Sequence, residues 1–95
     1  EQLQASAEQA AALLKAMSNP KRLLILCMLC GSPGTSAGEL ARVTGLSPSA
    51  TSQHLARMRE EGLIESQRDA QRILYSIKNA AVNSLIATLK TLYCP

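Results

Sequence analysis

Residues 45–62 read Gly45-Leu46-Ser47-Pro48-Ser49-Ala50-Thr51-Ser52-Gln53-His54-Leu55-Ala56-Arg57-Met58-Arg59-Glu60-Glu61-Gly62, and this stretch decides the fold. Ser47 is a good helix N-cap, and Pro48 suits the first helical position, where its missing N–H has no partner to lose. The spacing predicts a helix from Pro48 through Glu61, stopped by Gly62. On a helical wheel Leu55 and Met58 point to the core with Thr51 close to that side, Ser49, Gln53 and Arg57 point away, and Ser52 and His54 lie on the flanks. An outward face of Ser, Gln and Arg suits a DNA major groove: Gln pairs bidentately with adenine, Arg with guanine, and short hydroxyls allow close approach. The free N–H groups at the helix start also offer a place for a phosphate. Any solvated helix face can carry the same residue types, so the flanking segments decide between the readings.

Upstream, Ser36 and Glu39 form a capping box that opens a short helix, Ala37 to about Thr44, with Leu40 and Val43 expected to point inward. Gly45 and Leu46 make a tight turn, so the two helices have the layout of a helix-turn-helix. Downstream of Gly62 the pattern changes from helical to alternating. Leu63–Arg68 and Arg72–Ile77 read as strands joined around Asp69-Ala70-Gln71, with Ile73, Tyr75 and Ile77 on one face of the second. A hairpin following directly on the second helix of such a pair is a wing. Arg68, Gln71 and Arg72 at its tip are placed to grip phosphates or enter a minor groove; a charged hairpin tip taken alone is more often simply solvated.

Further out, residues 3–17 form an Ala- and Gln-rich helix with a narrow stripe of Leu3, Ala7, Ala10, Leu14 and Met17. Asn19-Pro20 breaks and restarts the chain into a helix from about Pro20 to Cys30, apolar on all sides after Lys21 and Arg22 and so expected at the centre. Gly31-Ser32-Pro33-Gly34-Thr35 ends it as a loop. Asn79 caps a last helix to about Tyr93, with Val82, Leu85, Ile86, Leu89 and Leu92 as its apolar stripe. The expected fold is mainly α with a small β-hairpin, a winged helix-turn-helix of order α-α-α-α-β-β-α in a single domain over residues 1–95.

A chain of 95 residues buries only about 60 to 65% of the surface its unfolded form exposes. It is 46% apolar, with no Trp, no Phe and two Tyr, so its core is aliphatic and has little bulk per side chain. Burial is expected to be completed against a second copy, as a homodimer through the first and last helices. The net charge of +3 is spread along the chain without a like-charge block; a dimer doubles it, which suits modest phosphate attraction rather than indiscriminate coating. The longest uninterrupted apolar run, Leu23–Cys30, has eight residues against the roughly 20 of a membrane span, and no signal segment opens the chain, so a cytoplasmic protein with no membrane partner is expected.

His54 is the single histidine, and no metal-ligand spacing, Gly-rich phosphate loop or Ser/His/Asp set is present, so neither a metal site, nor a cofactor, nor an enzyme is expected. His54 reads as a hydrogen-bonding residue at the edge of the DNA face, or as a packed one. Cys27-Met28-Leu29-Cys30 is a C-x-x-C, but it sits near a helix end in apolar surroundings, where desolvation disfavours the thiolate. Buried cysteine acting as a small hydrophobe is the plainer reading of Cys30. Cys94, near the end of a helix meant for the dimer seam, is different, and three thiols in so short a chain justify a redox hypothesis.

With these segments in place, the chain resembles the ArsR/SmtB family of small dimeric winged-helix repressors over essentially its full length. The resemblance is carried by Ala16-Met17-Ser18-Asn19-Pro20-Lys21-Arg22-Leu23, by Gly38-Glu39-Leu40-Ala41, and above all by Ser47–Met58 followed by Glu61-Gly62-Leu63-Ile64. It implies that the helix Pro48–Glu61 reads the major groove of double-stranded operator DNA through Ser49, Ser52, Gln53, His54 and Arg57, with Arg68 and Arg72 in the wing. The metal-sensor ligands of the family are missing. The thiol-based branch, of the BigR and SqrR type, is the better match: there a cysteine on the second helix and one on the last form the sensing pair, which implies Cys27 and Cys94, linked by sulfane sulfur (persulfide) or oxidants to change operator affinity. Cys30 is extra to that pattern, and Ala70 stands where family wings usually have Gly, so the hairpin turn is expected to differ. The alternatives are a thiol oxidoreductase or sulfur carrier using Cys27 and Cys30, a module for protein contacts only, or a repressor responding to a soft metal or haem.

Overall fold

The computed structural model describes residues 2–94. Its elements are α1 (Gln2–Met17), α2 (Pro20–Gly31), β1 (Thr35–Ser36), α3 (Ala37–Thr44), α4 (Pro48–Glu60), β2 (Ile64–Asp69), β3 (Arg72–Ile77) and α5 (Ala80–Tyr93). Every expected helix and both wing strands are present, with bounds within one residue of those read from the sequence. The helix starts are set by the expected caps. The Asn19 side chain accepts from the Lys21 and Arg22 amides, Ser47 from Ala50, and Asn79 from Ala81 and Val82. Ser36 and Glu39 close a reciprocal capping box, and such caps contribute about 1 kcal/mol each.

Thr35 and Ser36, expected to be loop and cap, also form β1, which pairs antiparallel with β3 and makes a three-stranded sheet of order β1-β3-β2. Two residues are too few to leave a periodic signal. Their partners on β3, Tyr75 and Leu74, lie far along the chain, and the Gly34 amide joins the same edge by donating to the Tyr75 carbonyl at 2.9 Å.

The core gathers Met17 from the end of α1, Ile25, Leu26 and Leu29 from α2, Leu40 from α3, Leu55 and Met58 from α4, Leu63 and Ile64 at the wing root, and Val82 and Ile86 from α5. Leu40 faces inward as expected, but Val43 is 43% exposed. Its place is taken by Thr44, which is buried because its hydroxyl donates to the Leu40 carbonyl at 2.8 Å and accepts from the Leu46 amide at 3.3 Å. Thr44 thereby shapes the turn between α3 and α4. Helix α2 is central, yet Leu24 remains exposed, so it is not buried on all sides.

The stripe of α5 is split. Val82 and Ile86 are covered within the subunit by packing on α2, whereas Leu85 and Leu92 stay exposed. The last helix, expected to serve the seam with a second copy, thus gives part of its stripe to the core of its own chain. Along α1 only Met17 is buried, and Leu3 and Leu14 face outward. In the wing, Tyr75 and Ile77 are half-buried, but Ile73, nearer the tip, is exposed.

Candidate nucleic-acid interface and thiol cluster

The turn between α3 and α4 is fixed by one backbone conformation and two hydrogen bonds. Gly45 adopts φ +72°, the left-handed conformation that ends a helix without a side-chain penalty. The Lys21 ammonium, at the start of α2, donates to the Thr44 carbonyl at 2.6 Å, placing a cation at the C-terminal end of α3, where the helix dipole favours it. Thr51, fully buried, donates its hydroxyl to the Ser47 carbonyl at 2.9 Å. Helix α4 thus sits with Leu55 and Met58 inward, and Ser49, Ser52, Gln53 and Arg57 are all exposed. His54 is half-buried on the flank of this face, in a shallow hollow lined also by Arg22, Ala50, Gln53 and Arg57.

Arg22 is structural. Its side chain is 11% exposed, donates to the Ala16 carbonyl at 2.7 Å and pairs with the Glu61 carboxylate at 3.3 Å, tying the end of α1 and the start of α2 to the end of α4. Arg59 donates to the Ser66 hydroxyl at 2.9 Å and so sets the wing against the base of α4. These clamps carry no sequence signal, because each depends on a partner from another element.

At the wing tip Arg68, Gln71 and Arg72 are all exposed. The turn is a two-residue loop, since Asp69 pairs with Arg72, and Ala70 takes φ +59°. Ala70 therefore adopts the backbone of a Gly-type position, at the cost of strain that glycine would not have. Arg68 donates to the Ala70 carbonyl at 3.3 Å, bracing that turn. Arg72 lies 3.4 Å from the Glu39 carboxylate. Neither of the two ion pairs found among the described residues, Arg22–Glu61 and Arg72–Glu39, involves Arg57 on the outer face of α4.

The second cluster lies on the seam between α2 and α5. Cys27 and Cys30 are half-buried, Cys94 is exposed, and all three thiols are free. Lys90, one turn before Cys94, donates its ammonium to the Cys27 carbonyl at 3.4 Å, and its own carbonyl accepts from the Cys94 amide at 2.8 Å. The Cys30 thiol lies 4.0 Å from the Asn83 carbonyl. Burial pushes the Cys27 thiol above its ordinary range and the negative charge of Cys94 adds to this; the Lys90 ammonium opposes it, and Cys30 raises it further. Among the described residues, no group of three or more His, Cys, Asp or Glu side chains is arranged to hold a metal ion, and no helix is long and apolar enough to cross a membrane.

Residues 19–66 match the family described as bacterial regulatory protein, arsR family. The chain belongs to the ArsR family. This ArsR-family chain is 87% identical over 94 residues to the HTH-type transcriptional regulator YgaV of Escherichia coli strain K12, covering 99% of the chain and 95% of that protein. It superposes with a TM-score of 0.92 on the crystal structure of the predicted DNA-binding transcriptional regulator from E. coli, at 87% identity and 97% coverage of both chains. On reduced HlyU from Vibrio cholerae N16961 the TM-score is 0.93, at 41% identity, with 99% of this chain and 98% of that one covered. The ArsR-family chain is a DNA-binding transcriptional regulator of the winged helix-turn-helix type and not an enzyme, which sets aside the oxidoreductase and protein-contact readings.

Proposed function

We propose that the chain is a homodimeric, cytoplasmic repressor whose operator affinity is set by the chemical state of Cys27 and Cys94. In this reading α4 enters the major groove with Gln53 and Arg57 reading bases and Ser49, Ser52 and His54 completing the contact, while Arg68, Gln71 and Arg72 of the wing hold phosphates. Two such heads in a dimer meet half-sites about 34–36 Å apart. The exposed Leu3, Leu14, Leu85 and Leu92 on α1 and α5 supply the apolar surface for the partner.

The observation that carries the sensing half is the bridge of hydrogen bonds from Cys27 through Lys90 to Cys94 across the α2–α5 seam. Sulfane sulfur links the pair in balanced steps. Each cysteine thiolate takes the outer sulfur of a persulfide RS–SH and releases RS⁻; the terminal sulfur of one cysteine persulfide then attacks the Sγ of the other and expels hydrosulfide, leaving a trisulfide. A peroxide instead gives a disulfide and two waters. A direct disulfide needs Cα atoms within about 7 Å, and an added sulfur relaxes that limit. Because α5 is covered by α2 on one side and offers Leu85 and Leu92 on the other, a covalent link at its end biases the dimer seam and the spacing of the reading heads. Such couplings are typically about 1–3 kcal/mol, or roughly 5- to 150-fold in affinity. The Vibrio relative solved specifically in a reduced state is in keeping with a redox-dependent regulator.

The test is a gel shift with operator and with random DNA, using reduced and persulfide-treated protein. Selective operator binding by the reduced form that drops on treatment, and no longer responds in Cys94→Ser, supports the reading. Equal affinity for both DNAs removes the specific-repressor claim, and a Cys94→Ser protein that still responds removes the pairing claim.

A further inference from the structure

We infer that Lys90 is the positioning residue of the thiol pair, a cation held against the backbone of Cys27 that governs this cysteine's reactivity while its own carbonyl holds Cys94. The inference rests on the thiol-sensing reading above and deepens it: there Lys90 only marks the proximity of the two cysteines, whereas here its charge is given a part in their reactivity. Lys90 is hydrogen-bonded to both Cys27 and Cys94: its ammonium donates to the Cys27 carbonyl at 3.4 Å and its carbonyl accepts from the Cys94 amide at 2.8 Å.

Its position is built into the packing. Lys90 is half-buried, and its Nζ lies 3.3 Å from where a Cβ on Gly31 would stand, so the bare backbone at the end of α2 leaves room for the ammonium. The last turn of α2 contains no basic residue of its own, so Lys90 supplies from α5 the positive charge that a helix C-terminus favours. One ammonium therefore stands at the end of α2, hydrogen-bonded to the backbone of Cys27 itself.

The groups that act on the Cys27 charge are Lys90 from α5, Cys94 just past the end of α5, and Cys30 from its own helix. Burial, Cys94 and Cys30 all favour the protonated thiol; Lys90 alone opposes them. Since the thiolate is the nucleophile, taking this cation away lowers the reactivity of Cys27 at neutral pH. Removing the charge slows the first sulfur transfer, in which Cys27 loses its proton to solvent, bonds the outer sulfur and releases RS⁻. The same cation draws anionic reagents to the site and disfavours none that are neutral.

The experiment is alkylation of the full-length protein, with modification at Cys27 quantified by peptide mass spectrometry, using neutral iodoacetamide and anionic iodoacetate across pH 6.5 to about 10. In Lys90→Gln the Cys27 pH profile is expected to move to higher pH, with the iodoacetamide rate at neutral pH falling about threefold and the iodoacetate rate falling further. Lys90→Arg restores both. Lys90→Met, which keeps the aliphatic stem, behaves as Lys90→Gln. A Lys90→Gln profile that overlays the wild type, or an Arg variant that fails to rescue while remaining folded by circular dichroism, overturns the inference. Because alkylation requires neither DNA nor a Cys27–Cys94 link, this outcome is independent of whether persulfide controls operator binding.

Discussion

The Arg72 guanidinium of the wing stands 3.4 Å from the Glu39 carboxylate, the same carboxylate that accepts from Ser36 in the capping box of α3. The wing is thereby docked on the helix-turn-helix while its arginine stays accessible. The side chains are 62% and 43% exposed, and exposed pairs of this kind are worth only about 0.2–1 kcal/mol, so a DNA phosphate can compete for Arg72. Arg72→Ala is expected to weaken binding to operator and random DNA about equally, to lower the salt slope by about one, and to change the unfolding free energy by less than about 0.5 kcal/mol. Fluorescence anisotropy over a salt series checks this; an unchanged slope means that the wing does not touch phosphate.

Gln53 lies exposed on the outer face of α4. Gln53→Ala is expected to cost about 1–3 kcal/mol in operator binding, with affinity for random DNA nearly unchanged. A competition assay separates the two, and a uniform loss on both DNAs would reassign Gln53 to the backbone.

Ala70 holds φ +59° at the wing turn. A glycine there removes the side-chain clash of the left-handed conformation but frees the unfolded chain, so Ala70→Gly is expected to stabilise the protein by about 0.5–1 kcal/mol. Urea denaturation measures the change, and destabilisation would show that the turn does not need a glycine-like residue.

Arg22 is nearly enclosed by α1, α2 and Glu61. Arg22→Ala leaves the Ala16 carbonyl and the Glu61 carboxylate short of a donor and is expected to destabilise by about 2 kcal/mol. A change below about 0.5 kcal/mol in chemical denaturation would mean that water replaces the guanidinium freely.

The Cys27 thiol titrates above its ordinary range in the folded chain, from burial first and then the Cys94 charge. The folded state therefore holds this proton more tightly than the unfolded state. The stability linked to it is fully present below the ordinary thiol value, about 8.5, and is lost as pH rises through the folded value. Melting temperature is expected to fall more steeply above about pH 8.5 in the wild type than in Cys27→Ala, and parallel curves would contradict the assignment.

Much of this was legible from the residue order because it is local. Caps at Asn19, Ser36, Ser47 and Asn79, the Gly45 turn and the change to alternation after Gly62 are short-range signals, and they place five helices and the wing. The elements and contacts that escaped are non-local. The two residues of β1 exist through Leu74 and Tyr75, and Val43 yields its inward place to Thr44 because the turn needs that hydroxyl. Arg22, Arg59 and Lys90 acquire their roles from partners on other elements. The outward placing of Ser49, Ser52, Gln53 and Arg57 on one helix was legible, and their part in DNA contact is the proposal made above. The Cys27–Cys94 pairing came from family resemblance, since spacing alone left three thiols without an order. Lys90 did leave a trace: it lies one helical turn before Cys94 and so shares its side of α5.

The central claim is that Cys27 and Cys94 become linked and that the link controls DNA binding. Intact-mass and peptide analysis of the reduced and persulfide-treated protein, with operator binding assayed on the same samples, tests it most directly. The predicted result is a Cys27–Cys94 bridged peptide, carrying the mass of added sulfur less two hydrogens, whose yield rises in step with the loss of the shifted band. Loss of operator binding with Cys27 and Cys94 unlinked, or a fully bridged protein that still holds its operator, would contradict the account.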